Sequence, residues 1–296
     1  MTTHHATDLT PAPAGAPVVP GRRPRRTRPG SARRWSAATV TGLATVGVLF
    51  ALGLAAPLLA GHPPQAQGAD ALAPISAAHP LGTDEFGRDL FSRVLYGIRV
   101  DVWITLVAVP IGALVGTALG LACGVHRFVD LVLQRIFDVT LAFTALVLGV
   151  TVAAIVQPGT TAVIWTVALV NVPLFGRITR DAMMTQRDRD YVTAAKVTGV
   201  GPVRLLTRHI LPNCVDPLIV QAALSLSMAV FIEGAMSFVG LGVRPPEPSL
   251  GSLLRTSINF LDANPAYAIG PMVAVTALVV GFNLIADGLN KGLLRR

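Results

Sequence analysis

The chain has 296 residues, of which 52% are hydrophobic and only 14% are charged, and its formal net charge is +8. A soluble domain typically carries about 25% charged residues, so this composition excludes an ordinary soluble globular protein. Several uncharged runs reach the roughly 20 residues that a helix needs to cross a bilayer. We therefore expect an all-α integral membrane protein with six transmembrane helices.

Residues 1–34 differ from the rest of the chain, because they combine seven arginines with many Pro, Ala, Gly and Thr residues. Such a segment cannot bury enough apolar surface to fold, and we expect a disordered cytoplasmic tail. Arginines directly before a span hold that end in the cytoplasm and favour anionic lipid head groups. No nucleic-acid-binding motif or aromatic platform accompanies the charge, so the sequence does not indicate a nucleic-acid-binding surface.

Residues 35–60 form the first apolar run, which is too long for the 7–15-residue core of a cleaved signal peptide. We therefore predict a retained first transmembrane helix. Residues 61–98 follow as an extracytoplasmic segment. There Thr83 or Asp84 is suited to cap an amphipathic helix that lies along the membrane surface and ends at Gly97. The apolar face of this helix contains Phe86, Leu90, Val94 and Leu95.

Three carboxylates in the same segment, Asp84, Glu85 and Asp89, are candidates for a metal site. Their spacing matches no calcium-binding loop, and a solvated helix face is the simpler interpretation.

The membrane core is predicted at residues 99–288, and residues 289–296 form a cytoplasmic carboxyl terminus. Its five spans lie at about 100–125, 130–156, 160–176, 214–236 and 266–287. This topology places nineteen of the 24 Lys and Arg residues inside and five outside, as the positive-inside rule requires. Cys123 and Cys214 fall near cytoplasmic ends of spans, so we expect free thiols.

The cytoplasmic loop at about 177–213 is polar and interrupts the apolar spans. Its sequence predicts a short helix from Asp190 to Thr198 with Tyr191, Ala194, Ala195 and Thr198 on one side. Gly199 or Gly201 can supply the left-handed residue that ends this helix, and Pro202 suits the first turn of the next. Pro212 then closes the second helix. The paired alanines are expected to leave a flat surface that another protein's groove could approach.

Glu233 lies in the fifth of the six predicted spans, where a carboxylate is costly and should face a helix interface or a wet path. It either lines or gates such a wet path, together with Ser237, or pairs with a polar group between helices. The glycines and the Pro245-Pro-Glu-Pro248 run that follow cannot continue a helix, which indicates a packed outer loop.

The sequence contains no Gly-x4-Gly-Lys-Ser/Thr phosphate-binding loop, no His-Glu-x-x-His, no Gly-x-Ser-x-Gly and no His/Cys ligand cluster. We therefore expect no enzymatic activity, no catalytic residue, no metal and no cofactor bound by this chain.

The cytoplasmic loop resembles that of ABC importer permeases, whose pattern is Glu-Ala-Ala, three residues, Gly, and a hydrophobic-Leu-Pro ending. The matching residues are Ala194, Ala195, Gly199, Leu211 and Pro212. Thr193 stands in place of the Glu and His209 in place of an Ile. From about residue 35 to its end the chain is similar to the C-type permease subunit of dipeptide, oligopeptide and nickel importers. One departure is Thr144, where relatives often have Pro, so the sequence leaves a kink in the third span undetermined.

This resemblance implies the type I ABC importer permease fold and a set of partners. These are a homologous second permease, two cytoplasmic ATPase subunits that bind ATP and Mg²⁺, and an extracytoplasmic substrate-binding protein. The loop would be the element that docks on an ATPase, with candidate residues Tyr191, Thr193, Ala194, Ala195, Lys196, Gly199, Arg204, His209, Leu211 and Pro212.

The solute implied first is a peptide, with nickel chelates, opines, glutathione or sugars as alternatives. A secondary transporter or channel acting alone would need intramembrane charges for ion coupling, and only Glu233 qualifies. An intramembrane enzyme lacks catalytic groups, and the loop pattern belongs to importers rather than exporters.

Overall fold

A computed structural model of the chain describes residues 37–262 and 264–293, except for the side chains of Lys196 and Leu293. The tail predicted at residues 1–34 lies outside the described residues. The described part of the chain is helical and has no β-strand beyond one isolated bridge between Thr83 and Asp89. Its α-helices are α1 (Ala37–Leu54), α2 (Ala56–Leu59), α3 (Leu90–Cys123), α4 (Arg127–Ala142), α5 (Ala145–Val156), α6 (Thr160–Arg187), α7 (Asp190–Val197), α8 (Pro202–Arg204), α9 (Val215–Val239), α10 (Leu250–Ser257) and α11 (Ala266–Leu293).

Five of these helices, α1, α3, α6, α9 and α11, are long and apolar enough to cross a membrane. The remaining predicted span, at 130–156, corresponds to the bent pair α4 and α5. We call the end of the bundle that carries residues 188–214 the inner end, and the end that carries residues 240–249 the outer end, after the predicted topology. Two buried apolar clusters hold the bundle together, one centred on α3, α5, α6 and α9 and one on α3, α9, α10 and α11.

Helices α3 and α6 make the most extensive pairing in the bundle, and glycine permits their close approach. The residues of α3 that face α6 at intervals of four are Gly112, Gly116 and Gly120. A Cβ atom at Gly116 would lie only 2.4 Å from the carbonyl oxygen of Val172. Small residues at such spacing let two backbones meet within a membrane, where dispersion contacts replace the hydrophobic effect.

The predicted span 130–156 is broken into two helices that meet at 97°. Phe143 and Thr144 have extended backbones, with ψ of 143° and 149°, so the α4 helix cannot continue through them. The Thr144 hydroxyl accepts a hydrogen bond from the backbone N–H of Val147 at 3.4 Å and caps α5. The structure thus places a sharp bend at the position that the sequence left undetermined.

Two ion pairs join α4 to the inner half of α6. Arg180 Nε and Nη2 donate to the two carboxylate oxygens of Asp130 at 2.5 and 2.7 Å, and Arg177 pairs with Asp138. These carboxylates therefore connect two helices.

The amphipathic helix predicted within residues 61–98 was wrong. The Asp84 carboxylate caps a turn instead, because its Oδ1 accepts from the backbone N–H groups of Phe86 and Arg88, both at 2.9 Å. The helix begins only at Leu90 and does not end at Gly97, but continues to Cys123 as α3. Gly97 instead makes room for the start of α10. A Cβ atom at position 97 would lie only 3.2 Å from the backbone nitrogen of Leu250.

The solvated carboxylate face predicted for this segment was also wrong. Asp84 and Asp89 are buried. Arg88 Nε donates to Asp84 Oδ2 at 2.6 Å, and the Tyr267 hydroxyl donates to Glu85 Oε2 at 2.8 Å. These carboxylates thus stabilise the fold of the segment and its contact with α11.

Candidate functional site

The predicted cytoplasmic loop begins later than expected, because α6 continues about three turns beyond residue 176 and ends at Arg187. Residues 188–214 then form what we call the 188–214 loop. It contains α7, a sharp corner, α8, a π-helical turn at Leu205–Ile210 and a 3₁₀ turn at Leu211–Asn213. The predicted sequence of short helix, corner and short helix is confirmed, and α9 follows directly.

Gly199 forms the corner. It has φ +78°, the left-handed conformation, whereas Gly201 has φ −63° and ψ 154° and precedes α8 as an extended residue. The Val200 backbone N–H donates to the Ala195 carbonyl at 3.2 Å, and the Thr198 N–H donates to the Ala194 carbonyl at 3.1 Å. A left-handed residue followed by such a bond is the usual way to end a helix on glycine. Of the two glycines predicted for this position, the structure assigns it to Gly199.

One side of the loop packs against the bundle. Val192 and Ala195, one turn apart on α7, are buried together with Met183 of α6 and with the π-helical turn. The whole buried set is Met183, Val192, Ala195, Leu205, Leu206, Ile210 and Cys214. The loop therefore has a small apolar core of its own, which fixes it to α6 and to Cys214, the residue directly before α9. Burial of Cys214 raises the pKa of its thiol, and both cysteines are free, as predicted.

The other side of the loop is exposed. Tyr191, Thr193 and Ala194 on α7, and Gly199 and Arg204 beyond it, are accessible to solvent. Tyr191 also donates from its hydroxyl to Gln186 Oε1 at 3.0 Å.

Ala195, in contrast, points into the apolar core of the loop. The prediction that both alanines form one flat outer surface was therefore wrong, because neighbouring residues on a helix lie about 100° apart.

The remaining predicted residues follow the second half of the loop. His209 and Leu211 are half-buried and Pro212 is exposed. The side chain of Lys196 lies outside what the structure describes. The exposed surface also includes two apolar residues that the sequence argument did not single out, Val197 and Val203, which are 83% and 63% exposed.

A second group of polar residues is buried near the outer end. Glu233 and Asp101 are both 0% exposed, and their carboxyl groups are close enough to interact. The Ser237 hydroxyl donates to Glu233 Oε1 at 2.6 Å and accepts from the Val243 backbone N–H at 3.1 Å. The backbone N–H of Leu250 points to Asp101 Oδ2 at 3.4 Å. We call these residues the carboxyl cluster; it joins α3, α9, the turn after α9 and the start of α10.

No Lys, Arg or His of the described residues forms an ion pair with either carboxyl group of this cluster. Among the described residues, no hydrogen bond reaches two further oxygen atoms of the cluster, Asp101 Oδ1 and Glu233 Oε2. The Glu233 side chain is enclosed within this subunit and lies among polar groups of neighbouring segments. A role of this cluster in gating stays a prediction.

Asp101 and α10 are the features of this site that the sequence argument missed. Asp101 is a carboxylate inside an apolar run, so the rule that singled out Glu233 applied to it equally. The statement that Glu233 is the only intramembrane charge was therefore wrong. Helix α10 could have been found from Ser249, whose hydroxyl accepts from the Ser252 N–H at 3.2 Å in a capping box.

Residues 109–296 match the protein family described as "Binding-protein-dependent transport system inner membrane component". The chain is 36% identical to the dipeptide transport system permease protein DppC of Alkalihalophilus pseudofirmus, over 86% of this chain and 84% of that protein. It is 39% identical to the di/tripeptide transport system permease protein DppC of Pseudomonas aeruginosa, over 83% and 86%. A glutathione transport system permease protein, GsiD of Pectobacterium atrosepticum, is 35% identical over 74% and 73%.

Among solved structures, the fold is similar to a chain of the MetNI methionine ABC transporter in an inward-facing conformation. The TM-score is 0.57, with 17% sequence identity, and the match covers 68% of this chain and 96% of that chain. At this identity the likeness concerns the fold, and it agrees with the expected all-helical permease architecture.

Proposed function

The chain belongs to the family of binding-protein-dependent transport system inner membrane components, and we propose that it is the permease subunit of an ABC importer for dipeptides or oligopeptides in a bacterial cytoplasmic membrane. The observation that carries this proposal is the identity of 36–39% to dipeptide and di/tripeptide permeases over more than four fifths of the chain. The subunit itself is non-catalytic. ATP and Mg²⁺ are bound by partner subunits, since the sequence has no phosphate-binding loop.

The 188–214 loop is the surface on which a cytoplasmic ATPase subunit docks in this proposal. Its exposed side offers small and apolar side chains, such as Ala194 and Val197, between polar neighbours. Its buried side is fixed to α6, so that a displacement of the loop moves a transmembrane helix with it. A short rigid element of this kind converts closure of the ATPases into a rigid-body movement of the spans.

The other proposed partners are a homologous permease, which completes the translocation path, and an extracytoplasmic binding protein, which delivers the solute. The amino and carboxyl termini are cytoplasmic in this arrangement. Alternating access then exposes the solute site first to one side of the membrane and then to the other.

The carboxyl cluster is proposed to hold the outer part of the gate together. Two adjoining carboxylates would repel each other in a buried site, and a proton shared between Asp101 and Glu233 removes that repulsion. Glu233→Gln preserves the hydrogen bond from Ser237 and should retain at least half of the transport rate. Glu233→Leu removes the acceptor of the Ser237 O–H and the partner of the Asp101 carboxyl group, at a cost of about 1–3 kcal/mol for each buried group left without a partner, and should reduce transport at least fivefold. Glu247→Leu is the matched control, because Glu247 is an exposed carboxylate in the same outer turn.

Transport rates in reconstituted liposomes measure this difference, with the amount of inserted protein determined separately. If the Leu variant at position 233 transports as well as the one at position 247, the cluster has no role in gating.

The solute is proposed to be a peptide, and glutathione, a tripeptide-like thiol, is the second candidate because a glutathione permease is among the relatives. Nickel chelates, opines and sugars are less favoured alternatives.

The function is tested by co-expressing the chain with the ATPase, permease and binding-protein genes that neighbour its own, and by reconstituting the complex in liposomes. We expect uptake of labelled dipeptides that requires both ATP inside the vesicles, on the ATPase side, and the binding protein. Uptake by this chain alone, driven by a proton or sodium gradient, would instead establish a secondary transporter.

A further inference from the structure

The segment between α2 and α3 brings two histidines and a carboxylate together near the outer end of the bundle. They are His62, His79 and Asp89, and one candidate ligand atom from each lies within 4.8 Å of the other two. The three residues are separated by 17 and 10 positions in the sequence, so the fold of the segment, and not a local motif, creates the cluster.

Two members of the cluster are held in place by their surroundings. Asp89 is 4% exposed, and its Oδ2 accepts from the backbone N–H of Ser92, which leaves Oδ1 to face His79 Nδ1 at 3.0 Å. The backbone around His79 is fixed as well, because its N–H donates to Ser76 Oγ at 3.1 Å and its carbonyl accepts from Gly82 at 2.9 Å.

The third member of the cluster, His62, leaves it open to solvent, from which an ion can enter. His62 is exposed, and its ring centroid lies 5.3 Å from that of His79 with the planes tilted by 34°. Ligands bound at about 2.0–2.2 Å to one ion are roughly 3–3.5 Å apart. An exposed side chain can make the remaining adjustment of roughly 1 Å through its own torsion angles, while the other two ligands stay in place.

Two imidazole nitrogens and one carboxylate oxygen form a ligand set suited to Zn²⁺, with a water molecule in the fourth position. Calcium and magnesium prefer oxygen ligands alone, so the two histidines select against them. We propose that His62, His79 and Asp89 bind one Zn²⁺ ion, which ties the segment after α2 to the start of α3.

This proposal does not depend on the solute or on the ATPase. The metal would join residue 62 to the cap of α3, and thereby fix the chain between two transmembrane helices at the outer end. Without metal, the same residues would form only the hydrogen bond between His79 and Asp89, with His62 in ring contact.

The test is isothermal titration of ZnCl₂ into the detergent-purified full chain, made with a histidine-free affinity tag and stripped of metal with a chelator. All proteins carry His4→Ala and His5→Ala, so that the tail contributes no binding. We expect one Zn²⁺ per chain with a Kd in the micromolar range or below, and a Kd at least tenfold higher for His62→Ala or His79→Ala. His126→Ala, which changes another exposed histidine, is the matched control and should bind as the parent does.

Co²⁺ substitution provides a second readout, because cobalt in a nitrogen and oxygen site absorbs in the visible range without the thiolate charge-transfer band of a cysteine site. Failure of the metal-stripped parent protein to bind one Zn²⁺ per chain in the titration, or equal affinity in His62→Ala and the parent, would overturn the proposal. Since His62 is exposed, its replacement should leave the folded protein intact, and thermal unfolding of the metal-free variants checks this.

Discussion

Replacement of Gly199 tests the corner of the 188–214 loop, and Gly201, two residues later, provides a matched control. A Cβ atom at either position would meet nothing within 4 Å, so steric contact does not distinguish them. Backbone conformation does, because Gly199 has φ +78° whereas Gly201 is extended with φ −63°. We therefore expect Gly199→Val to strain the loop and Gly201→Val to be tolerated.

The expected free-energy cost of Gly199→Val has two contributions. The left-handed conformation costs an L-residue about 1–2 kcal/mol, and a β-branched residue lies at the upper end of this range. If the corner relaxes to avoid the strain, the bond from Val200 to Ala195 is lost, which removes about 0.5–1.5 kcal/mol. Because α7 is a short helix on a small apolar core, a penalty of about 2 kcal/mol is enough to change the position of its exposed side.

The assay is ATP-driven peptide uptake in liposomes, with ATP hydrolysis measured in parallel. Gly199→Val should reduce the ratio of peptide transported to ATP hydrolysed at least fivefold, without preventing membrane insertion, and Gly201→Val should change it less than twofold. Equal behaviour of the two variants would refute the argument, since it would mean that the left-handed corner has no part in coupling.

The remaining predictions concern the bundle. Thr144→Pro should change the free energy of unfolding in detergent by no more than about 1 kcal/mol in either direction, because φ of −68° at this position and the extended residue before it suit proline, whereas the Thr144 hydroxyl that caps α5 is lost. Thr140→Pro, inside α4, should cost about 3 kcal/mol, and similar values for both would show that the bend lies elsewhere. Gly116→Ala should destabilise the bundle by about 1–3 kcal/mol, because its Cβ would lie 2.4 Å from a backbone oxygen of α6. Gly47→Ala in α1 is the control, because a Cβ atom there would meet nothing within 4 Å. Equal unfolding temperatures of the two variants would contradict the argument that the α3–α6 contact requires glycine.

The sequence predicted best where local rules act alone. The corner of the 188–214 loop was foreseen because glycine followed by proline restricts the backbone over a few residues. The sequence did not show which side of α7 is buried, because Val192 and Ala195 pack against Met183 of α6, a partner identified only by the tertiary fold.

The segment before α3 was predicted poorly for a related reason. The sequence analysis placed the helix cap at Thr83 or Asp84. In the structure Asp84 is occupied by the N–H groups of a turn and by Arg88, so the helix begins after Asp89. The convergence of His62 with His79 could not be predicted, since it depends on the path of a segment without regular structure.

Helix α9 connects the two candidate sites. Its first residue follows the buried Cys214 of the 188–214 loop, and Glu233 of the carboxyl cluster lies 18 positions beyond Val215, which corresponds to about 27 Å along a helix. Helix α6 forms a second connection, because Met183 packs in the loop core and the Gly159 N–H, just before α6, donates to the Leu241 carbonyl after α9 at 3.2 Å.

The loop and the outer turn are thus joined by two helices that are fixed at both ends. A movement of the loop that tilts α6 and α9 together must act on the contacts of Glu233 with Ser237 and Asp101. In the proposed importer, ATPase closure at the inner end and opening at the outer end would then be one rigid-body change, and the carboxyl cluster would be the contact that resists it.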